Sequence, residues 1–226
     1  MSNSTDLSGS ARWAAVDAYV EEHFTRGDGV AARVLERQRA AGLPDIAVSP
    51  AQGKLLEVLT LATGARRVLE FGTLGGYSTL WFARAVGAGG SVVSFELSPA
   101  HAAVARASLA EAGLGERVEI RVGPALENLG SLANDDRYDL VFIDADKPNN
   151  LAYYEAAMTR VHQGSLIIVD NVVRDGGLAD ADSTDERIVG SRAVVERVGA
   201  DSRVSGSVVQ TVGAKFYDGM IIATVL

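Results

Sequence analysis

The chain has 226 residues, 47% of them hydrophobic and 22% charged, which suits one globular domain with a full core. A formal net charge of -8, with no Lys/Arg block, argues against a nucleic-acid backbone as partner. The absence of cysteine excludes disulfides, thiolate metal sites and a Cys nucleophile together, and it fits a reducing compartment.

The first residues, MSNSTDLSGSARW, lack a basic region followed by an apolar one, so no signal peptide is expected. No apolar run approaches membrane-spanning length, and the expected location is the cytoplasm. Residues 1–10 are small and polar and are expected to be disordered. From Ala11, the spacing of Trp13, Val16, Val20 and Phe24 predicts one helical face. A second helix spans Val30 to Ala40, and a third runs from Pro50 to Thr63 with Ser49 as its cap.

After Gly64 the rhythm changes to short apolar runs alternating with helical patterns. RRVLEFG, SVVSFEL, RVEIRVG, YDLVFIDA and SLIIVDN read as five strands. Between them, YSTLWFARAV, PAHAAVARASLAEAG, PALENLGSL and NLAYYEAAMTRV read as helices. A further helix is expected around Asp185 to Val198. SRVSGSVVQTVG and FYDGMIIATVL close the chain as two strands joined by a short turn. Repeated βα units predict an α/β fold: a mostly parallel sheet, helices on both faces, and an antiparallel edge hairpin.

The turn in VLEFGTLGGYSTL places Gly72, Gly75 and Gly76 between a strand and a helix. Glycine lets the backbone turn tightly and approach a ligand closely, although three glycines in an ordinary tight turn would look the same. The spacing is neither the dinucleotide pattern G-x-G-x-x-G nor a P-loop. Glu70 ends its strand just before this turn, and Glu96 ends the next one. An acid at Glu96 can accept hydrogen bonds from both hydroxyls of a ribose.

The fourth strand stops on Asp144 and the fifth on Asp170 with Asn171. Adjacent parallel strands would bring these three oxygen donors to one rim, where they suit a hard cation such as Mg²⁺. Asp170-Asn171 could instead simply open a turn. Lys147 follows three residues after Asp144. A lysine beside a bound cation loses its proton more readily and could serve as a general base. His23, His101 and His162 are scattered and read as surface or packing residues.

Taken together, LEFGTLGGYST, FELSP, GPALE, FIDADKPN, IIVDN and the terminal DGM resemble the cation-dependent O-methyltransferases that use S-adenosylmethionine. That family includes catechol O-methyltransferase and the caffeoyl-CoA O-methyltransferase-like group. The resemblance runs from about residue 44 to the C-terminus. It implies a Rossmann-like class I methyltransferase fold with strand order 3-2-1-4-5-7-6, a single domain over 1–226 with a helical segment at 11–63, and a homodimer. It implies that Asp144, Asp170 and Asn171 hold the divalent metal, usually Mg²⁺, and that Lys147 is the catalytic base. Glu70, Gly72 and Ser78 match cofactor contacts around the methionine part, with Gly76 of the same turn counted among them. Glu96 matches the acid on the ribose, and Ala125 and Asp146 match contacts near the adenosine. Val48 matches the segment covering the cofactor, Tyr153 an aromatic near cofactor or substrate, and Asp144 also borders the cofactor.

There are two departures. The family often reads D-A-D-K-x-N-Y, and Asn150 stands where that tyrosine would be. The loop VVRDGGLADADSTDERIVG is only loosely family-like. Both bear on the acceptor, so a preference for CoA esters is not carried over. The expected activity is methyl transfer from S-adenosylmethionine to a hydroxyl of a catechol-like small molecule, dependent on a divalent metal. Other acceptors of the same chemistry are CoA esters, flavonoids and other natural products. A nicotinamide-dependent dehydrogenase lacks the glycine spacing it would need. A non-catalytic nucleoside-binding protein would have no use for Asp144, Lys147 and Asp170. No membrane or nucleic-acid partner is expected.

Overall fold

The structure, a computed structural model, describes residues 9–226. Three helices come first: α1 (Gly9–Phe24), α2 (Gly29–Ala40) and α3 (Pro50–Thr63). The βα alternation follows as β1 (Arg67–Phe71), α4 (Tyr77–Ala85), β2 (Ser91–Glu96), α5 (Pro99–Glu111), β3 (Val118–Val122) and α6 (Ala125–Gly130). It continues with β4 (Tyr138–Ile143), α7 (Asn150–Met158), β5 (Val161–Val169), α8 (Glu186–Ala200), β6 (Val204–Gly213) and β7 (Phe216–Val225).

The seven strands form one sheet in the order β3-β2-β1-β4-β5-β7-β6. The first five are parallel, and β7 runs antiparallel to both β5 and β6. This is the Rossmann-like class I methyltransferase architecture that the resemblance implies. The strands are apolar on both sides because both faces are covered. Val68, Leu140, Phe142 and Ile168 pack into a core with Leu56, Trp81 and Phe82. Their neighbours Leu69, Val141, Ile143 and Ile167 pack on the other face with Tyr154, Val194 and Val198. Each fully buried Leu or Phe contributes roughly 1.5–3 kcal/mol of transfer free energy.

Local signals set the element ends. Ser49 caps α3, its Oγ accepting from Gln52 N (3.1 Å), and Gly64 closes that helix at φ 66°. Asp28 caps α2 through Ala31 N (3.0 Å). Such caps are worth about 1 kcal/mol each. Three expectations shift. The segment 1–10 expected to be disordered lies outside the described residues except for Gly9 and Ser10, which open α1. Val161, expected at the end of a helix, instead starts β5. The predicted apolar face of α1 buries nothing: Val16 and Phe24 are exposed.

The C-terminal hairpin overhangs the sheet. Val169 at the end of β5 pairs with Ile221, so residues 216–220 extend beyond the rim where the parallel strands stop. The tip, Ala214-Lys215, joins Gly213 to Phe216. Asp17 of α1 holds it by accepting from Ala214 N (2.7 Å).

Candidate active site

The carboxyl rim of the sheet opens into a cleft of about 1300 Å³. That exceeds the roughly 300–1,000 Å³ of a typical single-ligand pocket. One half lies over β1 to β4, under the glycine turn. The other lies between β5, the overhanging hairpin and the segment 45–55.

The glycine turn is built from alternating left-handed residues: Gly72 (φ 98°), Leu74 (φ 49°) and Gly76 (φ 86°). At Gly72 a side chain would overlap the carbonyl of Asp144, so glycine is what lets β1 and β4 close up at the rim. Gly76 faces away from the cleft, against Ala105. Glu96 accepts Leu74 N on one oxygen (2.7 Å) and Ser98 N on the other (2.9 Å). Each oxygen keeps capacity for a hydroxyl donor. His101, read as a packing residue from the sequence, also reaches this rim, with Nδ1 3.4 Å from Glu96.

Glu70 lies beneath the turn, fully buried, and does not line the cleft. Ser78 (2.6 Å), Thr79 (2.5 Å) and Ser94 (2.6 Å) all donate to it. Burial pushes its carboxyl up to about 7 against those three hydrogen bonds, with the charge of Asp144 adding to the rise. Ser78 lines the cleft and is the link between Glu70 and the open space. Ala125 and Tyr153 line the same half, Val48 lines the cleft from the segment 45–55, and the Tyr153 hydroxyl donates to Asp146.

Asp144, Lys147, Asp170 and Asn171 come together in this cleft, as the sequence predicts. Lys147 Nζ donates to Asp144 Oδ1 (2.7 Å) and is nearly buried. Burial, then the charge of Asp144, push the Asp170 carboxyl up to about 7, while Lys147, Asn171 N and Gln52 oppose the shift. Asn171 sits at φ 56° and begins a strained turn in which Arg174 (φ 54°) and Asp175 (φ 55°) are also left-handed.

A family profile described as O-methyltransferase matches residues 28–224. The chain belongs to the O-methyltransferase family. Catechol O-methyltransferase of Mycobacterium tuberculosis is 47% identical over 210 residues, covering 93% of this chain and 94% of that protein. The O-methyltransferase of Bacillus cereus, solved in complex with SAH, superposes with a TM-score of 0.94 at 46% identity, covering 96% of this chain and all of that one. TomG of Streptomyces achromogenes, involved in tomaymycin synthesis and solved with SAM, gives 0.93 at 39% identity, covering 97% and 99%. The protein is therefore an S-adenosylmethionine-dependent O-methyltransferase, and the resemblance read from its motifs holds.

Two residues of this O-methyltransferase escaped the sequence reading. Gln52, in the first turn of α3, donates from Nε2 to Asp170 Oδ2 (2.6 Å). Asp218, in the terminal DGM motif, accepts on Oδ1 from Val173 N (3.1 Å), Arg174 N (2.9 Å) and Gly219 N (2.9 Å). No local pattern marks Gln52. The DGM motif marks Asp218 but not its task. Asn150 resolves the other way. It is fully buried at the start of α7, its amide atoms have no partner among the described residues, and it does not line the cleft. The departure at Asn150 therefore does not shape the acceptor pocket directly.

Proposed function

We propose that this enzyme transfers the methyl group of S-adenosylmethionine to one hydroxyl of a catechol-like acceptor, assisted by a divalent cation. The observation that carries this reading is the meeting of Lys147, Asp144, Asp170 and Asn171 in a cleft whose other half presents Glu96 and Ser78. The catechol O-methyltransferase of M. tuberculosis supports the acceptor class.

The donor set fits a hard cation. Asp144 and Asp170 are carboxylates and Asn171 an amide, all oxygen donors. Among the described residues no three His, Cys, Asp or Glu side chains are arranged to hold a metal ion, so the set rests on Asn171 as its third member. Burial first, and the charge of Asp144 second, raise the Asp170 carboxyl, and positive charge beside it would favour the ionised form. When bound there, a divalent cation such as Mg²⁺ supplies charge that favours the ionised hydroxyl and fixes its direction.

Glu96 holds the ribose hydroxyls, and the Gly72 turn lets the backbone approach the cofactor. Lys147 is the base that takes the proton from the acceptor hydroxyl at Nζ. The oxygen then forms a bond to the sulfonium methyl carbon as the carbon–sulfur bond breaks, giving a monomethyl ether and S-adenosylhomocysteine. Orientation in the shared cleft supplies much of the acceleration, because two bound partners are joined.

A homodimer is the assembly this reading carries. α1 leaves Val16, Tyr19 and Phe24 exposed, and α3, packed against it, leaves Val58 and Leu61 exposed. Light scattering on the eluting protein checks the mass. Among the described residues no helix is long and apolar enough to cross a membrane.

The test is a panel of vicinal diphenols, single phenols and CoA esters with labelled S-adenosylmethionine, with Mg²⁺ and with EDTA. Methylation of diphenols that is lost on chelation supports the reading. Unchanged turnover in EDTA refutes the cation, and methylation of single phenols alone refutes the acceptor class.

A further inference from the structure

The acceptor half of the cleft carries a charge that the methyl-transfer chemistry leaves unused. Arg174 lines it, three residues past Asn171. Its left-handed backbone (φ 54°) is pinned from both sides: Arg174 N donates to Asp218 Oδ1 (2.9 Å) and Gly177 N donates to Arg174 O (3.0 Å). That conformation costs an L-residue roughly 1–2 kcal/mol, so the turn holds Arg174 at the cleft wall against its own preference.

The residue is half-buried, and its guanidinium makes no hydrogen bond or ion pair among the described residues. It feels the charge of Asp185, but that carboxylate is already held by Arg187 through Nε (2.9 Å) and Nη2. Lys215 also lines this half and donates to Ala47 O, a carbonyl that does not neutralise it. Of the acids here, Asp170 accepts from Gln52 Nε2, Asp218 Oδ1 collects backbone N–H groups including that of Arg174, Asp17 is engaged by Ala214 N, and Asp45 is exposed. The surrounding wall is apolar, with Ile46, Leu55, Val212 and Phe216.

We propose that Arg174 selects acceptors whose dihydroxylated ring also carries a carboxylate, with Lys215 adding positive potential. Apolar walls suit the ring, and a planar guanidinium with free donors suits a carboxylate, which it can bind through two parallel hydrogen bonds. The inference rests on the vicinal-diphenol reading of the acceptor.

A matched pair of acceptors tests it: 3,4-dihydroxybenzoate and its methyl ester, which share the reacting hydroxyls and differ in charge. The wild type is expected to favour the acid by roughly tenfold or more in kcat/KM, mostly through KM, the range for a hydrogen bond to a charged group. Arg174→Leu brings that ratio to about one, Arg174→Lys keeps part of it, and Arg174→Glu shifts preference to a catechol bearing an ammonium chain. Equal kcat/KM for acid and ester in the wild type overturns the proposal and leaves the diphenol reading standing. So does a ratio that Arg174→Leu leaves unchanged. Methylation of neither compound, nor of catechol, overturns both.

Discussion

Gln52 Nε2 donates to Asp170 Oδ2 at 2.6 Å, joining α3 to the end of β5 across 118 residues of sequence. Asp170 is 3% exposed, so this amide is its partner in place of water. Gln52→Ala removes a hydrogen bond to a buried charged group, worth roughly 1.5–3 kcal/mol. The expected outcome is Mg²⁺ binding weakened by about tenfold or more in calorimetric titration of the enzyme loaded with S-adenosylhomocysteine. Unchanged Mg²⁺ affinity would remove Gln52 from the site.

Asp218 is the counterpart on the hairpin side. Its Oδ1 collects three backbone N–H groups of the strained turn and of its own strand. Asp218→Ala leaves Val173 N buried without a partner, and the expected loss is about 3 kcal/mol in denaturant unfolding. Asp218→Asn keeps the accepting oxygen and is expected to lose less than half as much. An alanine variant as stable as the wild type would show that the turn holds itself.

Gly190 lies where α8 crosses the short 3₁₀ segment Lys147–Asn149. A methyl group there would overlap Lys147 O and sit 2.7 Å from Pro148 Cα, both backbone atoms. Gly190→Ala is expected to cost roughly 1–3 kcal/mol through overpacking. Because the displaced segment carries Lys147, turnover should fall with it. Thermal melts and initial rates measured on one preparation check both effects, and an unchanged melt would contradict the packing.

Glu70 is expected to make stability sensitive to pH. Its folded carboxyl titrates at about 7 against an ordinary value of 4.5. Between those values the unfolded chain gives up the proton first and the folded chain keeps it, so stability falls as pH rises through this window. Glu70→Gln abolishes that component and is expected to flatten the fall. Melting temperatures of both proteins from pH 4.5 to 7.5 decide it, and parallel curves would mean that Glu70 does not titrate there.

The candidate site was legible where chemistry coincides with a strand end. Glu96, Asp144 and Asp170 each close a run of buried apolar residues, and a charge at that point marks the ligand rim. Gln52 was not legible, because a glutamine in the first turn of a helix has no local reason to be there. Glu70 was expected as a direct cofactor contact, and the fold instead places it beneath the turn, out of the cleft. Three hydroxyls from α4 and β2 close over it, and only packing brings them together. Asn150 looked like an acceptor determinant by its position in the motif, and the fold turns it inward.

The sequence by itself determined the order of strands and helices, the two-sided burial of the sheet and the glycine turn. These arise from backbone sterics and the periodicity of apolar residues, which act over a few positions at a time. Only the tertiary structure decided which distant groups meet. The hairpin overhang brings Asp218 to the turn after β5, and α3 lies across the rim so that Gln52 reaches Asp170. Such contacts depend on how whole elements pack, and close packing lets a side chain far along the chain supply the hydrogen bond a buried acid requires.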